Sequence, residues 1–322
     1  MVASIRAVQS PAQAGSYYGA DNYYTSDENE AASQWFGEGA KELGLDGLVH
    51  EEAFEKLLSG ELPDGTVIGE GSNKEHRAGI DITFSAPKSL SILGLVGGDD
   101  RLVREHMAAV KDTLTWVEKN LSEARIRAGD RVETVKTDNL AIALFAHDTT
   151  RALDPQMHVH AVIANATQTA DGKWRAIVND KLFSKNTLIG AIYHSYLRER
   201  VEHLGYETET TGKHGTFEIK GVSREQIEAF SSRHATIVEK SEELGITSQR
   251  GLNEIAIRTR DRKVHVNDRQ TLYERWEQMA QDARIPVDAL IMSAGWTPSV
   301  HLFSQSRGKL RFDEDGQRFL PG

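Results

Sequence analysis

The chain has 322 residues, 39% hydrophobic and 27% charged, which is enough to bury the core of a globular domain. It contains no cysteine, so disulfides, thiolate metal sites and a cysteine nucleophile are excluded. The formal net charge of -10 argues against a nucleic-acid partner, but the first 64 residues hold 12 acidic and three basic residues, and the rest is nearly neutral. We find no apolar run of membrane-spanning length and no secretory signal, and therefore expect a cytoplasmic protein.

Hydrophobic periodicity predicts helices and strands in irregular alternation along the first part of the chain. The predicted helices are Glu28–Leu43, Glu51–Leu58 and Leu102–Arg127. The predicted strands are Arg77–Ser85, Arg131–Lys136, Asn139–His147 and Met157–Gln168, with a turn at Ala170–Lys173 that leads into a further strand ending near Asn179. These elements predict an α+β fold in which an antiparallel sheet carries helices on one side.

The chain beyond Leu188 has a mostly helical pattern, interrupted by a predicted β pair at Tyr206–Thr211 and Thr216–Lys220. We expect one domain over residues 1–290, with a sheet core over about 1–220 and a helical lobe over about 221–290. Residues 291–322 show no sustained period and predict a mobile tail. No phosphate-binding loop motif occurs, so an ATP-driven motor is not encoded in this chain.

Three histidines are grouped around a predicted hairpin. His158 and His160 alternate along one strand, so their side chains point to the same face, roughly 6.6 Å apart. The preceding strand ends at His147, and Asp154-Pro155 between the two strands favours a turn. A lone histidine is more often a core or surface residue. Three neutral imidazoles on one rigid face instead predict an open site for a divalent metal.

Four of the eight tyrosines lie close together near the N-terminus: Tyr17, Tyr18, Tyr23 and Tyr24. A phenol with a pKa of about 10 is a weak nucleophile at neutral pH. A metal-bound phosphodiester and a nearby carboxylate can promote its attack on phosphorus. The alternative role for such a cluster is packing, or stacking on the bases of single-stranded nucleic acid.

Two charged residues lie within and just after a predicted apolar strand. Asp81 interrupts a predicted apolar strand, so we expect it to have a partner such as a histidine, a tyrosine hydroxyl or the metal. The alternative is an aspartate satisfied by backbone amides or by a buried arginine. Lys88 follows Ser85-Ala-Pro87 at a predicted helix start, where anions bind favourably.

A basic stretch lies towards the C-terminus. Between Thr247 and Arg275 there are seven basic and four acidic residues. This run is either a solvated helix face or a phosphate-contacting face. The predicted DNA contacts in it are Arg258, Arg260 and Arg262.

In combination, these motifs resemble the relaxase domain of the MobF family of conjugative relaxases. The matching elements occur in order: the two Tyr-Tyr pairs, Asp-x-Thr-Phe-Ser-Ala-Pro-Lys-Ser from Asp81, His-Asp-Thr-x-Arg from His147, and Asp-Pro-x-x-His-x-His-x-Val from Asp154. They extend from the N-terminus to about residue 285. The chain departs from the family pattern at Val159, where threonine is expected, and in the short linker between the tyrosine pairs.

The resemblance implies a palm-like five-stranded antiparallel sheet of the HUH endonuclease type, with a helical lobe that closes over bound DNA. It implies that the tyrosine pairs are catalytic, with Tyr17 of the Tyr17-Tyr18 pair as main nucleophile and Tyr23 or Tyr24 for a second transfer. It further implies that the three histidines hold a divalent metal (Mg, Mn or Zn). Asp81 is then a proton acceptor or orients a metal-binding histidine. We expect Arg151 to contact a phosphate oxygen and Lys88 to contact the DNA.

The function expected from this resemblance is site- and strand-specific nicking of DNA at a plasmid origin of transfer, through a 5′-phosphotyrosyl intermediate. The expected partners are single-stranded DNA, relaxosome accessory proteins and type IV secretion machinery, and we expect a monomer. Transfer of the protein with the DNA into the recipient cell is a further expectation. The alternatives are a rolling-circle replication initiator of the HUH class and a single-stranded-DNA-binding module without catalysis.

Overall fold

The computed structural model describes residues 3–8, 10, 11, 14, 33–69, 76–248, 251, 252, 254, 255 and 269–283, and the backbone of 310–313 and 318–321. Its strands are β1 (Ser4–Val8), β2 (Ser33–Phe36), β3 (Gly79–Ser85), β4 (Glu123–Ala128), β5 (Arg131–Lys136), β6 (Ile142–Thr149), β7 (Pro155–Ala164), β8 (Thr167–Gln168), β9 (Trp174–Arg175), β10 (Thr208–Thr210), β11 (Phe217–Ile219), β12 (Leu310–Asp313) and β13 (Arg318–Pro321).

The α-helices are α1 (Glu38–Glu42), α2 (Glu51–Ser59), α3 (Lys88–Ser91), α4 (Asp100–Leu121), α5 (Asp180–Ser184), α6 (Asn186–His203), α7 (Arg224–Ala229), α8 (Ser232–Glu243) and α9 (Arg269–Asp282). A π-helix over Ile92–Val96 continues α3. Among the described residues, no helix combines the length and the apolar character needed to cross a membrane.

The main sheet has five strands in the order β1-β3-β7-β6-β2, and every neighbouring pair is antiparallel. This arrangement confirms the predicted five-stranded antiparallel palm. The two central strands, β6 and β7, are buried along almost their whole length, whereas the edge strand β1 is half exposed. Because the centre of the sheet is covered by protein on both faces, it forms a rigid base for side chains at the strand ends.

Helices cover both faces of this sheet. Ile142 and Leu144 point to the face covered by α4 and α6, where they join the larger apolar cluster. The intervening Ala143 and Phe145 point to the opposite face, where Phe145 packs edge-on against Phe54 of α2 with 5.2 Å between the ring centroids. The prediction of helices on one side only is therefore wrong. The near-continuous apolar character of β6 and β7 is the sequence feature that accompanies burial on both faces.

Two predicted helices are partly strands. From Ser33 on, where the structure describes it, the predicted helix Glu28–Leu43 consists of β2, which ends before Gly37 (φ 99°), and the short helix α1. The predicted helix Leu102–Arg127 corresponds to α4, which ends at Leu121, and the chain then forms the hairpin of β4 and β5. Helical spacing of apolar residues continues past the true helix end, and pairing between strands prevails over it there.

The other sequence boundaries are closer to the structure. The strand predicted over Met157–Gln168 divides into β7 and β8, and the strand predicted to end near Asn179 ends at Arg175. The predicted β pair is confirmed as β10 and β11, and Lys88 begins α3 as predicted. Within the predicted tail, β12 pairs with β13. The boundaries of the sheet core, lobe and tail remain predictions.

A buried carboxylate joins α4 to the start of β6. Glu118 of α4 accepts hydrogen bonds from the backbone amides of Leu140 (2.7 Å) and Glu38 (2.8 Å). Burial raises the pKa of this carboxyl group. A Cβ atom at Gly39 would lie 2.6 Å from the carbonyl carbon of Leu140, so only glycine allows α1 to approach this closely.

Candidate metal centre

His147, His158 and His160 meet on one face of the central strands. His147 lies directly opposite His158 in the antiparallel pair of β6 and β7, and His160 follows two residues along β7. The ring centroids are 5.0 to 5.3 Å apart. One possible ligand atom from each residue lies within 4.8 Å of the other two. The structure thus brings together the three histidines as the sequence predicted, and they share a face with Phe145 and Val162.

Hydrogen bonds orient two of these imidazole rings. The Nδ1 atom of His160 is 2.9 and 3.0 Å from the two carboxylate oxygens of Asp81, and that of His158 is 3.0 Å from the carbonyl oxygen of Gln156. Because carboxylate and carbonyl oxygens only accept, Nδ1 of each ring carries the proton. The Nε2 lone pair is then available to a metal, with the carboxylate and carbonyl behind the rings as is usual for metal-binding histidines.

The environment of His158 favours a neutral imidazole. Burial, together with the charge of the neighbouring His160, lowers the pKa of His158 to about 4. Metal binding requires neutral imidazole, so His158 need lose no proton at neutral pH. His147 and His160 are buried beside it, at 6% and 8% exposed. Three nitrogen donors with a buried carboxylate behind one of them fit a divalent cation and leave positions for oxygen ligands.

Asp81 has the partner that its position in an apolar strand predicted. It is only 5% exposed, and its β3 neighbour Thr83 places a hydroxyl group 3.2 Å from Nδ1 of His160. Thr83 also lies opposite His160 in the pairing of β3 with β7. The carboxylate therefore belongs to the histidine cluster.

Lys88 contacts polar groups of the protein itself. Its ammonium group donates a 2.9 Å hydrogen bond to the carbonyl of Pro155. Burial lowers its pKa to about 8, although Asp154 and Glu218 oppose the shift. The anion at the start of α3 is Glu218, whose carboxylate accepts from the amide and hydroxyl of Ser89. The protein itself thus supplies an acceptor for the Lys88 ammonium group and an anion at the start of α3, and a contact of Lys88 with DNA stays a prediction.

The loop between β6 and β7 carries Arg151, which is partly buried.

A buried ion pair lies beside the histidine cluster. Asp148, next to His147, points to the opposite face of the sheet and is 2% exposed. It pairs with Arg269 of α9 at 2.6 Å. Burial raises the pKa of Asp148 to about 6, and the charge of Arg269 opposes that shift. The sequence analysis did not identify this pair, because 120 intervening residues hide it from any local pattern.

Tyr17, Tyr18, Tyr23 and Tyr24 lie outside the described residues, as do Arg258, Arg260 and Arg262. Ala14, three residues before Tyr17, is described and is 4% exposed. It packs in the cluster that contains Phe145. Because Phe145 pairs in register with His160, this cluster covers the sheet face that carries the three histidines.

The hairpin of β4 and β5 carries a second basic surface, which the sequence analysis did not identify. The hairpin of β4 and β5 projects with most of its residues exposed. Its register places Arg125, Arg127 and Lys136 on one face, which we call the ribbon face. Arg125 and Lys136 pair with the exposed carboxylates of Asp180 and Asp138, at 3.6 and 3.4 Å. The alternation of Arg125 and Arg127 is a signal for this face. It was not recognised because the sequence predicted a helix over Leu102–Arg127.

The palm and its histidine cluster define an α+β protein with an open three-histidine site. A family model described as TrwC relaxase matches residues 11–283. Two proteins named Multifunctional conjugation protein TraI, from Escherichia coli and from its strain K12, are 43% and 41% identical over 299 residues. Those residues are 89% of this chain but only 16% of either TraI protein.

Solved structures of conjugative relaxase TrwC are also similar. The metal-free complex with oriT DNA has a TM-score of 0.79 at 35% identity and covers 88% of this chain and 99% of that one. The metal-bound complex has a TM-score of 0.79 at 36% identity, covering 87% and 98%. The chain belongs to the TrwC relaxase family, which confirms its resemblance to the MobF relaxases.

Proposed function

We propose that this chain is a site- and strand-specific DNA relaxase that nicks one strand at a plasmid origin of transfer and can rejoin it. The observation that carries the proposal is the cluster of three histidines, backed by Asp81, on the palm of a TrwC relaxase family member. Related TrwC structures are described as complexes with oriT DNA, one with a 27-mer comprising the recognition hairpin and the cleavage site.

His147, His158 and His160 would hold a divalent ion, of which Mg²⁺, Mn²⁺ and Zn²⁺ are the candidates. A bound divalent ion acts as a Lewis acid that polarises the phosphodiester and favours attack on phosphorus. TrwC has been solved in metal-bound form and in a copper-bound form, which supports a metal role without identifying the ion. Because both carboxylate oxygens of Asp81 face Nδ1 of His160, we assign Asp81 to orienting this ring.

Tyr17 is the proposed nucleophile. Ala14 is buried in the cluster on the histidine face, and three residues of chain span at most about 11 Å. The Tyr17 oxygen forms a bond to phosphorus as the bond from phosphorus to the 3′ oxygen breaks. The phenolic proton passes to solvent, the departing 3′ oxygen takes up a proton from solvent to become a 3′-hydroxyl, and a 5′-phosphotyrosyl link remains. Attack by an incoming 3′-hydroxyl reverses these changes and reseals the strand.

Tyr18, Tyr23 and Tyr24 complete the proposed tyrosine set. A second transfer requires a nucleophile that is still free while the first tyrosine is joined to DNA, and Tyr23 or Tyr24 would provide it. DNA contacts are proposed for Arg151 in the loop between β6 and β7, for Lys88, for the ribbon face, and for Arg258, Arg260 and Arg262. An exposed hairpin with one basic face suits duplex phosphates, whereas single-stranded DNA must reach the histidines.

The proposed setting is conjugation. The protein would work in the bacterial cytoplasm as a monomer, with relaxosome accessory proteins and type IV secretion machinery as partners, and would enter the recipient cell with the DNA. The relatives named TraI are called multifunctional, and this chain matches 16% of their length. The functions proposed here are those of the matched segment.

The decisive experiment is to trap the covalent adduct. The protein is incubated with a divalent ion and labelled single-stranded oligonucleotides from its own origin of transfer, and adducts are separated by denaturing electrophoresis. Tyr17→Phe removes one oxygen, so DNA binding should stay within about threefold while adduct formation falls by orders of magnitude. His160→Ala should abolish cleavage and retain the fold.

Peptide mapping of the adduct separates the alternatives. A nucleotide on Tyr23 or Tyr24 alone would contradict the assignment of Tyr17. Binding with no adduct on any tyrosine would favour the binding module without catalysis. A rolling-circle initiator would form the adduct on replication-origin oligonucleotides and not on those from the origin of transfer.

A further inference from the structure

The loop that connects the two ligand strands is bounded by two buried carboxylates. Asp148 follows the ligand His147 directly and is 2% exposed, and Asp154 precedes β7 and is 1% exposed. The loop closes on itself through the amide of Thr150, which donates to the carbonyl of Asp154 at 2.9 Å. A buried carboxylate must be matched by a donor or a cation.

Both matching groups come from helices near the C-terminal end of the chain. Arg269 of α9 donates to Asp148 at 2.6 Å, and Ser232 at the start of α8 donates to Asp154 at 2.6 Å. A third contact reaches the middle of the loop, where the indole nitrogen of Trp276 donates to the carbonyl of Leu153 at 2.8 Å. These three contacts hold both ends and the centre of the loop between β6 and β7.

The third contact lies at a constrained position. Leu153 has a φ of 61°, a left-handed conformation that residues other than glycine rarely adopt. Such a conformation persists only where the surroundings impose it. Trp276 is 1% exposed and packs with Leu272 in the same apolar cluster as the sheet, so its hydrogen bond to Leu153 is shielded from water. The indole thus adds a shielded hydrogen bond to a loop turn that is also held by the bond from the Leu153 amide to the Thr150 carbonyl.

The loop directly adjoins the strand positions of two proposed ligands. His147 and His158 face each other across the hairpin, and the carbonyl that orients His158 belongs to Gln156, two residues after Asp154. The pairing register shifts between His147 and Thr149, so the ladder itself is irregular at this end. A displacement of the loop therefore changes both the distance between the two imidazoles and the orientation of one of them.

We propose that α8 and α9 are a structural part of the metal centre, and that Arg269, Ser232 and Trp276 are positioning residues for His147 and His158. The inference rests on the proposed metal role of the three histidines. In this arrangement the C-terminal helices set the geometry of the ligand hairpin before any DNA is present.

The test measures metal binding to the whole protein with Co²⁺, whose visible absorption reports its ligand geometry. Arg269→Gln and Ser232→Ala are compared with Arg275→Gln, an exposed arginine of the same helix. We expect at least tenfold weaker Co²⁺ binding for Arg269→Gln, a smaller loss for Ser232→Ala, a changed absorption spectrum in both, and wild-type behaviour of Arg275→Gln. Arg269→Lys keeps the charge and should restore part of the affinity.

Unchanged Co²⁺ affinity and spectrum in both Arg269→Gln and Ser232→Ala would overturn the positioning role while leaving the metal centre intact. Wild-type protein that binds no Co²⁺, or His160→Ala that binds it as tightly as wild type, would instead contradict the metal assignment itself. If Arg269→Gln does not fold, the same comparison is made with two milder variants. Arg269→Lys keeps the positive charge beside Asp148, and Ser232→Ala removes only the hydroxyl group that donates to Asp154.

Discussion

Replacing Asp81 by Asn should weaken metal binding about tenfold. The carboxylate accepts from Nδ1 of His160 at 2.9 Å and makes the ring a stronger donor through Nε2. An amide of the same shape can still accept this hydrogen bond but without the charge. Charge-assisted hydrogen bonds contribute roughly 1.5 to 3 kcal/mol and neutral ones about half of that, and each loss of about 1.4 kcal/mol is tenfold in affinity.

Asp81→Ala should cost more, about 100-fold, because Nδ1 of the buried His160 then lacks its carboxylate acceptor. The affinities are measured by calorimetric titration of the metal-free protein with Mn²⁺ or Zn²⁺, and thermal unfolding without metal shows whether the fold is retained. Asp46→Asn, which removes an exposed carboxylate, is the matched control. If Asp81→Asn binds metal and nicks DNA as wild type does, the orienting role of this carboxylate is refuted.

Two other predictions concern buried and exposed charge. Burial lowers the pKa of His106 to about 3, so this ring is neutral in the fold but protonates in the unfolded chain as the pH falls below about 6.5. The free energy of unfolding that the neutral ring contributes is complete above that pH and is lost towards pH 3. Denaturant titrations should show that His106→Gln loses less free energy of unfolding than wild type between pH 7 and 4, by about 3 kcal/mol. Equal losses in the two proteins would contradict this. Neutralising the three cations of the ribbon face should flatten the salt dependence of binding to a hairpin oligonucleotide, by roughly one unit of slope per phosphate contact, and an unmoved slope would show that the face is merely solvated.

Much of the histidine cluster was predictable from the sequence because strand geometry is local. Residues two apart in a strand share a face, and a turn between two apolar strands returns the chain antiparallel. These two rules predict from the sequence that His147, His158 and His160 lie together. Asp81 was recognised for a similar reason, since a lone acid in an apolar strand must have a partner.

Helix boundaries and the helix layer on the histidine face were not predictable in this way. Apolar spacing past Leu121 fits a helix as well as a strand, and only pairing with β5 decides between them. Likewise, the apolar runs of β6 and β7 do not reveal which elements cover each face of the sheet. The covering of the histidine face depends on the close approach of α1 to the backbone of Leu140 at Gly39, and on ring contacts such as the one between Phe54 and Phe145.

Residue types at short spacings were enough to predict from the sequence which side chains could bind a metal and which could attack phosphorus. In contrast, the position of Glu218 at the start of α3 and the pairing of Arg269 with Asp148 follow from the folded arrangement alone. Both pairs join residues more than 100 positions apart. Their physical cause is the cost of burying an unpaired charge, and a partner that removes this cost can come from anywhere the folded chain brings close.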